Sequence, residues 1–247
     1  MSALEIGGLL LLISAVFSMP VFALQARGRH PDANLTGRPT GVILGNWIRE
    51  WFVWVIAPVE RAAVLARVAP ESFNYAGLAL GAAAGVAAAL GRLAMSGWLL
   101  LASGATDVLD GRIARARGLV SPFGAFLDSA LDRCVEAFLF LGCLWYFRAR
   151  PAAALLSGAA LAGSQLVSYA RARGQGLGVD CSHGAMPRAE RIVLVALGAI
   201  LDGRVADTAG WPRGSLLALV IGVVAAGAWT TAVYRTVAIA RALRNRP

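Results

Sequence analysis

Four aspartates lie close together within an otherwise apolar part of the 247-residue chain: Asp107, Asp110, Asp128 and Asp132. The first two are three residues apart and the last two are four apart, so each pair shares one face of a helix. Carboxylates inside membrane helices are costly and generally mark functional sites. Four of them would repel one another strongly unless a cation were bound. Because the cluster contains neither histidine nor cysteine, it favours Mg²⁺, Mn²⁺ or Ca²⁺.

The chain between the two aspartate pairs predicts a helical hairpin. Gly118 is typical of a helix end, and Ser121 followed by Pro122 is typical of a helix start. Antiparallel helices joined there would bring both pairs to one end. Gly111 leaves a notch for a ligand, and Arg115 is placed to bind a phosphate oxygen. The pattern predicts metal-assisted transfer at a phosphate, with one carboxylate free to act as the base.

Two other interpretations of the aspartates stay open. They could form structural salt bridges with nearby arginines, or they could line a cation or proton pathway in a transporter. A membrane scaffold without activity is a weaker alternative, because all four aspartates are present.

Composition places the chain in a membrane. Hydrophobic residues make up 58% and charged residues 15%, which excludes an ordinary soluble domain of this size. The net charge of +9 is then expected to face an anionic membrane surface and not a nucleic acid. All 23 basic residues are arginines, which excludes a lysine Schiff base or a P-loop lysine. Three cysteines are too few for a disulfide scaffold or a zinc site.

Apolar stretches near the length of a bilayer predict an all-α integral membrane protein. A six-helix transmembrane core is expected within residues 70–243, with spans near 72–91, 94–117, 122–147, 151–173, 188–203 and 214–240. Residues 46–67 mix tryptophans with charges and predict an interfacial amphipathic helix that breaks at Pro58.

Residues 1–45 are expected to form a separate N-terminal region, followed by one membrane domain over 46–247. An additional transmembrane helix is predicted at 6–24, with a linker after it. A retained span is favoured over a cleaved signal peptide, because Glu5 and no basic residue precedes the apolar stretch. With the linker in the cytoplasm, eighteen of the 23 arginines fall on the inner side and five on the outer side. The aspartates would then face the cytoplasm from the inner membrane.

The aspartates also belong to a longer pattern. Its fixed positions are Asp107, Asp110, Gly111, Ala114, Arg115, Gly124, Asp128 and Asp132. These residues and their spacing match the signature of the CDP-alcohol phosphotransferases, so the chain resembles that family over about residues 45–245. The additional span at 6–24 is not part of the usual family core.

The resemblance implies a role for each matching residue. Asp107, Asp110 and Asp128 would ligate a pair of Mg²⁺ or Mn²⁺ ions, and Asp132 would complete the metal site and act chiefly as the general base. The nucleotide of a CDP-lipid, expected to be CDP-diacylglycerol, would be surrounded by the signature residues together with a residue of the first core span. This CDP-binding set is Asp107, Asp110, Gly111, Ala114, Arg115, Gly124 and Asn74. The family also implies a homodimer.

Arginines around the loop between the fourth and fifth core spans predict the acceptor. With one arginine beside the expected base, they could form a pocket for a second phosphate: Arg133, Arg171, Arg173, Arg188 and Arg191. Contact with lipid headgroups is the alternative. The patterns Ser168-Tyr-Ala-Arg171-Ala-Arg173 and Arg188-Ala-Glu190-Arg191 resemble the branch of the family that makes phosphatidylinositol phosphate. Inositol phosphate is therefore the expected acceptor and glycerol-3-phosphate the second choice, while serine and choline rank below both.

Overall fold

The computed structural model describes residues 14–15, 17–25, 45–181 and 183–245, and all regular secondary structure within them is helical. Helix α1 covers residues 17–25 and is followed by seven longer helices. These are α2 (Asn46–Leu65), α3 (Pro70–Ala89), α4 (Leu93–Ala116), α5 (Pro122–Tyr146), α6 (Pro151–Gly176), α7 (Arg188–Ala209) and α8 (Ser215–Arg244). Most of the linker after the predicted first span, and the first half of that span, lie outside the described residues.

Proline and glycine set several helix ends. Helices α3, α5 and α6 each begin with a proline, whose missing N–H would have no partner at a first helical position. Ser121 caps α5, because its hydroxyl accepts a hydrogen bond from the Gly124 N–H at 3.0 Å. The turn after α4 uses Gly118 at a positive φ of 65°, a conformation that costs glycine little. These signals predict the α4–α5 hairpin that carries the aspartates.

Helix α2 corrects one sequence prediction. It runs through Pro58 as one element from Asn46 to Leu65, whereas the sequence predicts a break at that proline. Its tryptophans contact α1: Trp51 Nε1 donates to Ser18 Oγ at 2.9 Å, and the Phe22 ring lies 5.7 Å from the Trp47 ring between centroids. Ile56 and Ala63, on either side of Pro58, pack in one apolar cluster with Leu109 and Ile113 of α4, and this packing offsets the loss of the hydrogen bond that proline removes.

The six helices after α2 form one bundle. Helix α3 packs against both α4 and α5, α6 packs against α8, and α7 bridges α4 and α8. Small residues allow close approach: a Cβ added to Gly142 of α5 would lie 2.0 Å from the Gly85 carbonyl oxygen of α3. The apolar core lies at these crossings and includes Leu100, Phe140 and Ile221. Within this bundle, helices α3, α4, α5 and α7 surround one pocket.

Three described helices, α3, α6 and α8, are long and apolar enough to cross a membrane. Helices α4, α5 and α7 carry the aspartates and their arginine and glutamate partners, and these charges interrupt their apolar stretches. The six predicted core spans coincide with α3 to α8, and their ends differ by at most six residues.

Candidate active site

The aspartate cluster lies where α4 and α5 face each other. One carboxylate oxygen from each of Asp107, Asp128 and Asp132 lies within 4.8 Å of the other two, and all three side chains are half-buried. The hairpin thus brings together residues from both pairs, separated by up to 25 positions in the chain. Three oxygen donors at this distance form a compact site for positive charge.

Asp110 lies deeper, on the same face of α4. Its side chain is buried and accepts a hydrogen bond from the backbone N–H of Gly111. The Asn74 side chain of α3 also lies within hydrogen-bonding reach of this carboxylate. Asn74 and Asp110 are therefore neighbours in space, as expected if they bind one ligand.

Arg188, the first residue of α7, completes the cluster from the opposite side. Its Nη1 lies 3.2 Å from Asp107 Oδ2, and its Nη2 lies 2.7 Å from Asp132 Oδ1. The guanidinium group therefore joins α4, α5 and α7 through two ion pairs. Planar guanidinium groups are well suited to such two-armed contacts with oxygen anions.

A narrow pocket opens beside these carboxylates between α3, α4, α5 and α7. It is lined by Phe73, Asn74, Gly77, Leu78, Ser103, Thr106, Asp107, Leu131, Asp132, Val135 and Arg188. Its wall is closely packed, because Ser103 Oγ donates to the Gly77 carbonyl at 2.8 Å and a Cβ at Gly77 would lie 2.7 Å from Thr106 Oγ1. Both apolar and polar groups thus line the approach to Asp107 and Asp132.

The donor set fits a hard divalent cation. All of its donors are carboxylate oxygens, which Mg²⁺, Mn²⁺ and Ca²⁺ prefer, and no described histidine or cysteine belongs to the cluster. The position of the Arg188 guanidinium between two of the carboxylates is a second indication that this site attracts positive charge.

The remaining signature residues lie on the same hairpin. Gly111 keeps the face of α4 open, and a Cβ there would lie 3.3 Å from Arg115 Nη1, one turn further along. Ala114 is half-buried and Arg115 is exposed. Gly124 lies in the first turn of α5 beside its cap, Ser121. A phosphate approaching the exposed Arg115 would meet little steric obstruction from its neighbours Gly111 and Ala114.

The comparisons with known proteins agree with this geometry. A family model described as CDP-alcohol phosphatidyltransferase matches residues 67–234, which is more than half of the chain. The chain belongs to the CDP-alcohol phosphatidyltransferase family. It is therefore an all-α integral membrane protein and a transferase, and its signature is that of the family.

Two named synthases are similar to this chain in sequence. The chain is 41% identical over 131 residues to the archaetidylinositol phosphate synthase of Methanothermobacter thermautotrophicus, covering 53% of this chain and 65% of that one. It is 36% identical over 200 residues to the phosphatidylinositol phosphate synthase of Cutibacterium acnes, covering 77% and 95%.

The fold also matches a solved member of the family. The crystal structure of Mycobacterium tuberculosis phosphatidylinositol phosphate synthase with CDP-DAG bound superposes with a TM-score of 0.65 at 27% identity, covering 75% of this chain and 93% of that chain. The same synthase has been solved in complex with manganese and citrate. The manganese complex of that relative and the cluster of Asp107, Asp128 and Asp132 in the present chain both fit the use of a divalent metal.

The five arginines of the predicted acceptor site occupy different environments in this phosphatidyltransferase. Arg188 reaches the aspartates, and Arg171 and Arg173 are exposed near the end of α6. Arg133 donates to the backbone carbonyl and the hydroxyl of Ser129, one turn earlier on its own helix.

Arg191 is placed differently from the sequence prediction. It is buried, with Nη2 2.7 Å from Glu136 Oε1 and Nη1 donating to the Met186 carbonyl at 3.0 Å. Because these partners occupy its guanidinium group away from open solvent, Arg191 joins α7 to α5 through a buried ion pair and does not line an accessible phosphate site.

Sequence reasoning missed several charged residues around the site. Glu136 follows Asp132 by one turn, and Glu60 of α2 contacts Arg112 of the signature helix, with Glu60 Oε2 2.6 Å from Arg112 Nε. Arg235 is buried within α8. Isolated charges in apolar segments could have signalled each of them, but their partners are 52 to 68 residues away in the chain.

Proposed function

We propose that this protein transfers the phosphatidyl group of CDP-diacylglycerol to a hydroxyl group of inositol phosphate and releases CMP. The hydroxyl oxygen would form a new bond to the β-phosphorus, which carries the diacylglycerol. The bond between that phosphorus and the oxygen bridging it to the α-phosphorus would break, and CMP would leave with the bridging oxygen. The product is a phosphatidylinositol phosphate.

The observation that carries this proposal is the shared acceptor of its relatives. Both synthases compared above are named for products that contain inositol phosphate, although one name specifies an archaetidyl lipid and the other a phosphatidyl lipid. The structure of a relative with CDP-DAG bound supports the donor. An acceptor that carries a phosphate also agrees with the arginines around the loop before α7.

Asp132 is proposed as the general base. Its carboxylate borders the pocket beside Asp107, so an acceptor hydroxyl lying there could give up its proton to Asp132 as the new bond forms. Arg188 Nη2 lies 2.7 Å from the same carboxylate. An acceptor phosphate bound by Arg188 would therefore hold the rest of the acceptor next to the base.

Metal binding is assigned to Asp107, Asp110, Asp128 and Asp132, with two Mg²⁺ or Mn²⁺ ions. Bound there, divalent cations would neutralise the diphosphate and stabilise the charge that develops on the departing CMP. Asn74, Gly111, Ala114, Arg115 and Gly124 are assigned to the CMP moiety. Arg115 would bind a phosphate oxygen, and Gly111 would let the nucleotide approach the backbone of α4.

The acceptor phosphate is assigned first to Arg188, with Arg171 and Arg173 near the same loop and Arg133 beside Asp132 on α5. Arg133 follows Asp132 in the sequence, and Arg188 contacts its carboxylate. Arg171 and Arg173 are exposed where a soluble acceptor could arrive. Glycerol-3-phosphate has the same phosphate chemistry and remains the second acceptor to test.

We further propose that the site faces the cytoplasm from the inner membrane, that α2 lies along the membrane surface, and that the protein acts as a homodimer. The distribution of the arginines supports the orientation. Exposed apolar side chains on α2, including Trp47, Val55 and Val59, support its contact with lipid.

An acceptor screen tests the proposed function. Purified protein with CDP-diacylglycerol and Mg²⁺ or Mn²⁺ should release CMP when inositol phosphate is added, and much less with glycerol-3-phosphate, inositol or serine. Asp132→Asn keeps the size of the side chain but removes the base, so CMP release should fall at least a hundredfold. Preference for another acceptor would contradict the choice of inositol phosphate, and normal turnover of Asp132→Asn would contradict the base assignment. Metal flux into liposomes without CMP release would favour a transporter.

A further inference from the structure

The loop between α6 and α7 leads directly to Arg188 and is attached to α8 at two points. At the first, the backbone N–H of Met186 donates to Thr231 Oγ1 at 3.2 Å, and the Thr231 hydroxyl donates onward to the Gly227 carbonyl at 2.7 Å. At the second, Arg235 Nε donates to the His183 carbonyl at 3.0 Å. Thr231 and Arg235 are four residues apart, so successive turns on one face of α8 hold both ends of this short segment.

Arg235 connects three elements. Besides its bond to the loop, its Nη1 donates to the Val167 carbonyl of α6 at 3.1 Å, and the side chain is buried. A buried charge in an apolar bundle is costly unless its donors are used. Two donors on one rigid, planar group can reach carbonyls in two directions, which a lysine ammonium on a flexible stem does less well.

The loop also packs closely on α8. A Cβ added to Gly184 would lie 2.2 Å from Thr231 Cγ2, and one added to Gly227 would lie 2.7 Å from Met186 Cε. The Met186 side chain is buried, and its carbonyl accepts the hydrogen bond from Arg191. The backbone just before α7 is therefore fixed on both sides.

Immediately after this fixed segment, Pro187 occupies the position before the first turn of α7, and Arg188 begins the helix. Only Pro187 separates Met186 from Arg188, whose guanidinium group contacts Asp107 and Asp132. A displacement of the loop away from α8 would move the start of α7, and with it Arg188.

We propose that Thr231 and Arg235 are positioning residues that hold the loop before α7 and so place Arg188 for the phosphate of the acceptor. The inference rests on the proposed function, because it gives Arg188 that phosphate as its ligand. Neither residue touches a substrate. The residues assigned to the CDP-lipid lie on α3, α4 and α5, and Asp107 is the one among them that Arg188 contacts. Loosening the loop should therefore affect the acceptor more than the CDP-lipid.

Thr231→Val tests the first attachment, because it removes the hydroxyl and nearly keeps the shape. The matched control is Thr230→Val: Thr230 is exposed on the same helix, and its hydroxyl donates to the Ala226 carbonyl at 2.8 Å. Thr231→Val should raise the KM for inositol phosphate about tenfold, the effect of losing roughly one hydrogen bond. Its KM for CDP-diacylglycerol should stay within about twofold, and Thr230→Val should match the wild type in both. No change in the acceptor KM, or equal rises in both KM values, would overturn the proposal.

A suppressor pair tests the same contact from the loop. Gly184→Ala places a methyl group against Thr231 Cγ2 and should raise the acceptor KM. Thr231→Ser removes Cγ2 but keeps the hydroxyl, and the Gly184 Cβ position is 3.4 Å from both the Thr231 Cβ and Oγ1. Gly184→Ala combined with Thr231→Ser should therefore restore the acceptor KM to within about threefold of the wild type. A double variant no better than Gly184→Ala alone would overturn the proposal.

These measurements separate the inference from the proposed function. KM does not depend on the fraction of enzyme that folds, so poor folding of a variant does not imitate the expected result. Wild-type protein that uses no phosphorylated alcohol contradicts both the proposed function and this inference. Wild-type protein that uses inositol phosphate, with a Thr231→Val variant of unchanged acceptor KM, contradicts the inference alone.

Discussion

Glu136 and Arg191 form an ion pair in which each side chain is only 1% exposed. Glu136 Oε1 lies 2.7 Å from Arg191 Nη2 and accepts a hydrogen bond from Arg191 Nε at 2.9 Å, which joins α5 to α7 one turn beyond Asp132. Because both charges are withdrawn from solvent, each depends on the other for compensation. The pair fixes the spacing of the two helices that present Asp132 and Arg188.

Removing one member of this pair should destabilise the fold. Glu136→Leu leaves a buried guanidinium without its carboxylate, and we expect a loss of about 3–5 kcal/mol in the free energy of unfolding. Combining it with Arg191→Met replaces both charges by apolar groups and should recover most of that loss. Melting temperatures in detergent measure the effect. A double variant as unstable as Glu136→Leu would show that the carboxylate stabilises the protein by another route.

The crossing of α3 and α5 should tolerate no added methyl group at Gly142. Gly142→Ala would place its Cβ 2.0 Å from the Gly85 carbonyl oxygen, so the helices must separate, at a cost of about 1–3 kcal/mol. Gly203→Ala in α7 is the matched control, because nothing lies within 4 Å of a Cβ there. The control should be neutral or raise stability by up to about 1 kcal/mol. Equal melting temperatures for the two variants would rule out the close crossing.

The contact between α2 and the signature helix should affect catalysis. Glu60 and Arg112 are 16% and 14% exposed, and Arg112 follows the signature residues Asp110 and Gly111. Arg112→Gln breaks the ion pair between α4 and α2 and should lower kcat several-fold. Exchanging the two charges, Glu60→Arg with Arg112→Glu, should restore part of it, with a coupling energy of about 1 kcal/mol in a double-mutant cycle.

A second ion pair provides the control for that experiment. Arg213 and Asp207 are 3.2 Å apart but 68% and 64% exposed. Asp207 lies near the end of α7, and Arg213 lies in the loop after it. Asp207→Asn should leave kcat unchanged, because exposed pairs contribute little. If Arg112→Gln has no more effect than Asp207→Asn, α2 does not position the signature helix.

The helices and the aspartate hairpin could be predicted from the sequence because their signals are local. Pro122 begins α5 as predicted, Pro70 and Pro151 begin α3 and α6 in the same way, and Gly118 lies in the turn after α4. The spacing of the aspartates puts each pair on one face of its helix, and the hairpin then brings the two pairs together. The break expected at Pro58 was wrong, because packing along α2 outweighs the loss of one backbone hydrogen bond.

The partners of the arginines could not be predicted, because they depend on which helices become neighbours. Arg188 and Arg191 are three residues apart and looked equivalent in the sequence. The start of α7 turns Arg188 toward Asp107 and Asp132, and the next turn directs Arg191 to Glu136, 55 residues earlier. The same holds for Arg235, whose carbonyl partners belong to another helix and a loop. Charge alone identifies these residues, but tertiary packing decides which of them can reach a substrate.

Divalent metal should be required for turnover, and the aspartates should hold it. Chelation should abolish CMP release, and added Mg²⁺ or Mn²⁺ should restore it. Asp128→Asn removes one carboxylate charge from the three oxygens that lie within 4.8 Å of one another, so Mn²⁺ affinity, measured by titration calorimetry, should fall at least tenfold. Asp207→Asn, which removes an exposed carboxylate, should bind Mn²⁺ as the wild type does. Unchanged affinity in Asp128→Asn would place the metal elsewhere, because a carboxylate within bonding distance of the cation cannot be neutralised without weakening its binding.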